Sequence, residues 1–209
     1  MAKKNRRASQ SGKRVGKKIS AKGGRGSSRM SGRKPKSASK KGTVAKTGSE
    51  VSRLLESLNW THAMTAQMAN SVPPDKATWQ ASPTDNHVLW TLGHMATAYS
   101  WFASLIDGKG AELPADYDKL FAFKSVPVND PSVYPSADSV RQLHEAAYRR
   151  MTEAIQGLSD AESLKPPTSD TGGFVKSKLD AIHKAIWHES WHQGQLSTLR
   201  RAMGLPGVM

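Results

Sequence analysis

The sequence predicts an all-α fold: a four-helix bundle with a long crossover connection, preceded by a disordered basic N-terminal tail. Three observations carry this. From Ser49 onward apolar residues recur at three- and four-residue intervals, and no stretch alternates every second residue as a strand would. Four such stretches follow one another, two of them opening on a Thr, Asp or Ser cap and three of them ending at Pro or Gly. One of the connections, residues 108–134, is too long for a tight hairpin and implies a crossover along the bundle. The expected division is a tail over residues 1–48 and a bundle domain over 49–209.

The first helix is expected from about Glu50 to Ser71, with Val51, Leu54, Leu55, Leu58, Thr65 and Met68 on one side and Pro73-Pro74 as its stop. The second follows Pro83, takes Thr84 or Asp85 as its N-cap and reaches about Ile106, before Asp107-Gly108. Leu92, Met95, Tyr99, Phe102 and Ile106 form its core face. The third starts at a Ser136 cap and lines up Val140, Leu143, Ala147, Met151, Ile155 and Leu158. The fourth runs from about Ser177 to Met203, where Gly204 supplies the left-handed position past its end and Pro206 prevents continuation.

Charge divides the chain as sharply as periodicity does. Residues 1–50 hold 17 of the 31 Lys and Arg but one of the 17 acidic residues, a local +16, and the remainder sums to −2. A Lys/Arg/Ser/Gly segment without aromatics buries too little surface to offset its ordering entropy. It is suited to weakly sequence-specific, salt-dependent contact with nucleic-acid phosphates. A solvated leader, an organellar transit peptide and a later start at Met30 are the alternatives. No cysteine is present, so disulfides, thiolate ligands and a protein thiol nucleophile are excluded. No apolar run is long enough to span a bilayer, no apolar signal region follows the N-terminus, and the expected location is cytoplasmic.

The chemistry concentrates in the fourth helix, where His188-Glu189-Ser190-Trp191-His192 matches the HExxH pattern of zinc proteases. Residues four apart project side by side, so His188 and His192 can face one ion. A protease needs a third ligand downstream, yet none of the 17 residues after His192 is His, Asp, Glu or Cys, and the chain shows no strand to hold a peptide. The third ligand must come from upstream. His94 is the best candidate, a lone imidazole in the apolar run Thr91-Leu92-Gly93-His94-Met95-Ala96, where a buried polar group needs a partner.

Two segments carry a resemblance. Asn86-His87-Val88-Leu89-Trp90-Thr91-Leu92-Gly93-His94-Met95-Ala96, together with His188-Glu189-Ser190-Trp191-His192-Gln193-Gly194-Gln195-Leu196, is similar to the DinB/YfiT-like superfamily over about residues 50–205. The resemblance implies a four-helix bundle holding a divalent metal through three histidines, here His94, His188 and His192. Relatives include thiol-dependent S-transferases, a mycothiol-dependent isomerase and the iron-binding domain of ergothioneine synthases. Members often dimerise, so a homodimer is implied. The basic tail departs from the family pattern.

Other polar residues divide between chemistry and packing. Glu189 is rotated about 100° from His188 and is a candidate base or ligand-orienting group. His87 lies seven residues before His94 and is a candidate catalytic or substrate-facing group, with a backbone-bonded role at the helix start as its alternative. His62 is expected to face inward as packing, while His144 and His183 are expected to be exposed or half-buried. Gly194 is expected to admit a close helix neighbour, and Gln195 to reach a neighbouring helix by hydrogen bonding. Trp60, Trp90, Trp101, Trp187 and Trp191 are expected to fill the core, with those near the site as candidate walls of a substrate pocket.

The function expected from residues and resemblance together is a divalent-metal-dependent enzyme, either a thiol-dependent S-transferase or a hydrolase. The ion would be Zn, Ni or Fe, a small molecule would be the substrate, and a low-molecular-weight thiol the cosubstrate. The alternative is a non-catalytic, metal-stabilised bundle whose basic tail binds nucleic acid.

Overall fold

The computed structural model describes residues 48–208, and the disordered tail expected over 1–48 lies outside the described residues but for Gly48. Four long helices appear where the periodicity places them. They are α1 (Glu50–Asn70), α2 (Val88–Asp107), α4 (Ala137–Gln156) and α6 (Lys178–Ala202). Two short helices, α3 (Tyr117–Phe121) and α5 (Asp160–Ser163), lie in the connections, which show no such periodicity. Among the described residues there is no strand, and no helix is long and apolar enough to cross a membrane.

Local chemistry accounts for the helix ends. Ser49, Ser136 and Ser177 accept the backbone N–H three residues on, at the starts of α1, α4 and α6. Gly108 after α2 and Gly204 after α6 adopt φ of 86° and 77°, a region glycine enters without strain. The start of α2 differs from expectation. Neither Thr84 nor Asp85 caps it; the cap is His87, whose ring nitrogen accepts from the Trp90 N–H, so the helix begins at Val88. Imidazole is an uncommon cap, and the usual cap residues just upstream draw the eye to the wrong turn.

α1 packs on α6 and α4, and α2 on α4 and α6, so the sequence neighbours α1 and α2 stand diagonally across the bundle. The expected inward residues of α2, Leu92, Met95, Tyr99, Phe102 and Ile106, are all buried. Val51, Leu58, Thr65 and Met68 of α1 meet Val140, Ala147, Met151 and Ile155 of α4 in the same core, with Leu54, Leu55, Leu143 and Leu158 half-buried at its edge. The long connection after α2 folds back on that helix, and α3 seats Phe121 against Gly93. A Cβ at residue 93 would overlap the Phe121 ring, so the helix-interior glycine has a steric reason.

Two packing expectations are corrected. Of the five tryptophans assigned to the core only Trp90 is buried; Trp60, Trp101, Trp187 and Trp191 are exposed. On α6, Trp187 and Trp191 each precede an inward histidine by one residue, and the helical turn of about 100° per residue swings them outward. Gly194 admits no close helix, since an added Cβ would meet nothing within 4 Å; the residue lines an open cleft instead. Gly194→Ala is therefore expected to raise stability by about 1 kcal/mol through helix propensity. Urea denaturation measures this, and unchanged or lower stability would contradict the open environment.

Candidate metal centre

α2 and α6 pack side by side and carry the three imidazoles to one point. His188 and His192 are one helical turn apart on α6, and their rings meet His94 of α2 edge-on at centroid distances of 5.0 Å each. Nε2 of His188 lies 3.1 Å from Nε2 of His94 and 3.3 Å from Nε2 of His192. One ligand atom from each of the three residues lies within 4.8 Å of the others.

The outer nitrogens decide what the inner ones offer. Nδ1 of His94 lies 2.7 Å from the Phe121 carbonyl, which can only accept, so the proton sits on Nδ1 and Nε2 presents a lone pair. Nδ1 of His192 lies 2.8 Å from Gln195 Oε1, which also accepts from Asn86 Nδ2 at 3.1 Å. His192 therefore also turns a lone pair inward. This leaves Nε2 of His188 between two acceptors. A neutral ring has one proton, so at least one pair of lone pairs faces without a donor, and Nδ1 of His188 is buried with no partner. A cation at the meeting point removes that conflict. Nitrogens bound tetrahedrally at about 2.0–2.1 Å stand roughly 3.3 Å apart, close to the separations found. The outer carbonyl and amide contacts are those that orient metal-bound histidines in general.

Electrostatics keep the rings neutral. Burial lowers His188 to about 3, with the neighbouring His192 and His94 adding to the effect. Burial, then His94, lowers His192 to about 4 against the opposing Gln195 contact, and burial lowers His94 against its bond to Phe121. Trp90 stacks on His94 at 4.6 Å and 9°, covering one face of that ring. A cleft of about 740 Å³ between the residues preceding α2 and the end of α6 includes Asp85, Asn86, Trp191 and Gln195, one hydrogen bond from His192.

The other candidates lie elsewhere. His87 is fully buried, with Nδ1 accepting from the Trp90 N–H at 3.0 Å and Nε2 donating to the Val128 carbonyl at 3.1 Å. Both nitrogens are committed to backbone, in the capping role named as its alternative. Glu189 is fully buried and turns away from the three imidazoles; it accepts from the Tyr99 hydroxyl and sits 3.6 Å from Nδ1 of His62. Gln195 accepts from Asn86, in the chain just before α2, rather than from a residue within a neighbouring helix. His183 is exposed, but His144 is buried, contrary to expectation. The signal was present: residue 144 lies four after Val140 and three before Ala147, on the apolar stripe itself. The part played by the Phe121 carbonyl has no signature in the sequence, because every residue carries that group.

The buried rings predict acid sensitivity. Burial lowers His144 to about 3 and His87 to about 4, while the unfolded chain takes up these protons near 6.5. Below 6.5 the unfolded state binds more protons, so stability is highest above 6.5 and declines as pH falls toward 4. The limiting slope is about 1.4 kcal/mol per pH unit for each such ring. Urea midpoints of metal-free protein between pH 7 and 4 measure it; a flat profile would contradict the neutral, buried state.

A family model described as the DinB superfamily matches residues 57–196. The match begins within α1 and ends within α6, so it takes in all three imidazoles. No curated protein matches the chain. With two thirds of the chain covered, and an all-helical fold bringing together the histidines of both motif segments, this protein belongs to the DinB superfamily.

Proposed function

We propose that the chain is a divalent-metal-dependent enzyme acting on a small molecule, of the thiol S-transferase or hydrolase type. His94, His188 and His192 would hold the ion. The observation that carries this reading is the convergence of three Nε2 atoms, two of them stripped of protons by fixed acceptors behind the rings. Three neutral imidazoles leave an ion its full charge and suit Zn, Ni or Fe. Such an ion, once bound, lowers the pKa of a water or thiol brought to it and so readies a nucleophile near neutral pH. The Phe121 carbonyl and Gln195 orient the ligating rings, and Trp90 shields His94 from water. The chain has no cysteine, so sulfur chemistry here requires an external low-molecular-weight thiol. The cleft beside Gln195 offers polar groups and the Trp191 ring to a small substrate.

Elemental analysis of purified wild type against His192→Ala tests the metal. Wild type is expected to retain an ion that the variant loses, and equal content in both would end the proposal. A panel of common thiols with electrophilic and hydrolysable substrates then separates transfer from hydrolysis, with His94→Ala as the inactive control.

The +16 carried by residues 1–50 favours a second reading, a metal-stabilised bundle tethered to nucleic acid by its tail. DNA binding that weakens with salt and disappears on deleting residues 1–48 would support it; absence of binding at low salt would dismiss it.

A further inference from the structure

A second group of potential ligands lies across the core from the three imidazoles and shares no residue with them. It is formed by His62 of α1 with His144 and Glu145 of α4. We propose that these three side chains hold a second divalent transition-metal ion, in a two-histidine, one-carboxylate site. One ligand atom from each residue lies within 4.8 Å of the others. His62 and His144 are 6% and 2% exposed, with ring centroids 4.9 Å apart.

The case rests on a shortage of protons. His62 lies between two carboxylates. Its Nε2 is 3.1 Å from Glu145 Oε1, and its Nδ1 is 3.6 Å from Glu189 Oε1. A neutral imidazole carries one N–H and satisfies one of them. Both His62 Nδ1 and Glu189 Oε1 are buried without a hydrogen-bond partner, and each is the obvious partner of the other. On Nε2 the ring proton makes the 3.1 Å bond to Glu145 and leaves Nδ1 bare against Glu189; on Nδ1 it leaves the Nε2 lone pair facing the Glu145 carboxylate. Nε2 of His144 is also buried without a hydrogen-bond partner, and with that ring's proton on Nδ1 it adds a third base. Burial keeps that ring neutral at physiological pH. With both ring protons on Nδ1, three lone-pair donors face one another with no proton among them, an arrangement that suits a cation.

The surroundings fit an ion. Glu189 would act as the carboxylate behind a ligating histidine, orienting His62 as outer carboxylates do at metal sites generally. The Tyr99 hydroxyl donates to the other oxygen of Glu189 and fixes its rotamer. Tyr148 stacks flat on His62, centroids 3.5 Å apart and 2° from parallel, so the ring cannot swing away. Two nitrogens and one carboxylate oxygen select a first-row transition ion such as Zn²⁺ or Fe²⁺ over Mg²⁺ or Ca²⁺, which prefer all-oxygen sets. His144 and Glu145 also line a cleft of about 480 Å³ with Arg141, Gln142 and Arg149. An ion there is reachable from solvent, and the arginines favour water or a small anion as its remaining ligand. The buried Glu189 thereby acquires a role as a positioning residue for His62, which its place in the HExxH letters does not indicate.

The test is ion stoichiometry in the full chain, loaded with Zn²⁺, desalted and analysed by elemental analysis, with Co²⁺ as a visible-spectrum probe. Two ions are expected in wild type, one in His144→Ala, one in His192→Ala, and none in the double variant. Glu145→Gln keeps the shape of a half-exposed side chain and leaves folding intact by circular dichroism. It is expected to weaken the second site by more than about tenfold and to remove its share of the Co²⁺ spectrum. The proposal is overturned if wild type holds a single ion that His192→Ala loses and Glu145→Gln keeps. Metal lost in His144→Ala or Glu145→Gln but not in His192→Ala would support this site while removing the three-imidazole one.

Discussion

Zn²⁺ at a free concentration about a thousandfold above its dissociation constant is expected to stabilise the wild-type protein by about 4 kcal/mol through His94, His188 and His192. In a domain of this size that is a rise of roughly 10 °C in thermal midpoint. The magnitude follows from mass action, since the unfolded chain scatters the three rings and binds the ion weakly. The structure adds a reason for strong coupling between ion and fold. Two of the three Nε2 atoms face His188 with their protons committed behind them, so the metal-free core holds a repulsion that the ion removes. His192→Ala is expected to lose this increment and to keep only what ions bound elsewhere supply. Differential scanning calorimetry with and without Zn²⁺ provides the measurement, and equal upward shifts in the two proteins would defeat the three-imidazole site.

Phe121→Ala is expected to cost about 3–5 kcal/mol and, separately, to weaken metal binding by roughly ten- to a hundredfold. The ring is fully buried against Gly93, with Tyr117 and Tyr134 at centroid distances of 4.5 and 5.5 Å. It anchors α3 on α2, and the carbonyl of the same residue holds the His94 proton on Nδ1. Truncation leaves that carbonyl in the chain but frees its position, so stability and ligand orientation fall together. Gly93→Ala attacks the same joint from the other side by pushing the ring out. Chemical denaturation and competitive Zn²⁺ titration separate the two effects. A Phe121→Ala protein destabilised as expected but binding Zn²⁺ like wild type would show that the carbonyl does not set the geometry of His94.

Much of the bundle is legible along the chain. The inward residues of α2 were readable from spacing because each lies three or four positions from the next, and the Ser136 cap because it bonds within three residues of itself. His188 and His192 were readable as a pair for the same reason. Errors fell where local rules compete or stop. An imidazole displaced two better cap residues at the start of α2, and Trp187 and Trp191 face out because the histidines beside them hold the inward positions. His144 lay in plain view on the apolar stripe of α4 but was passed over for its polarity.

The sequence alone determined the four long helices, most of their ends and the pairing of two histidines on one face, because each depends on residues close together in the chain. Only the tertiary structure decided where the ring protons sit. His94 takes its tautomer from a carbonyl 27 residues away and meets His188 across 94, while His62 meets Glu145 across 83. Periodicity carries no information over such separations. A nitrogen becomes a donor or an acceptor according to what packs against it, and the packing of α2 with α6, and of α1 with α4, brings histidines far apart in the chain within reach of one another.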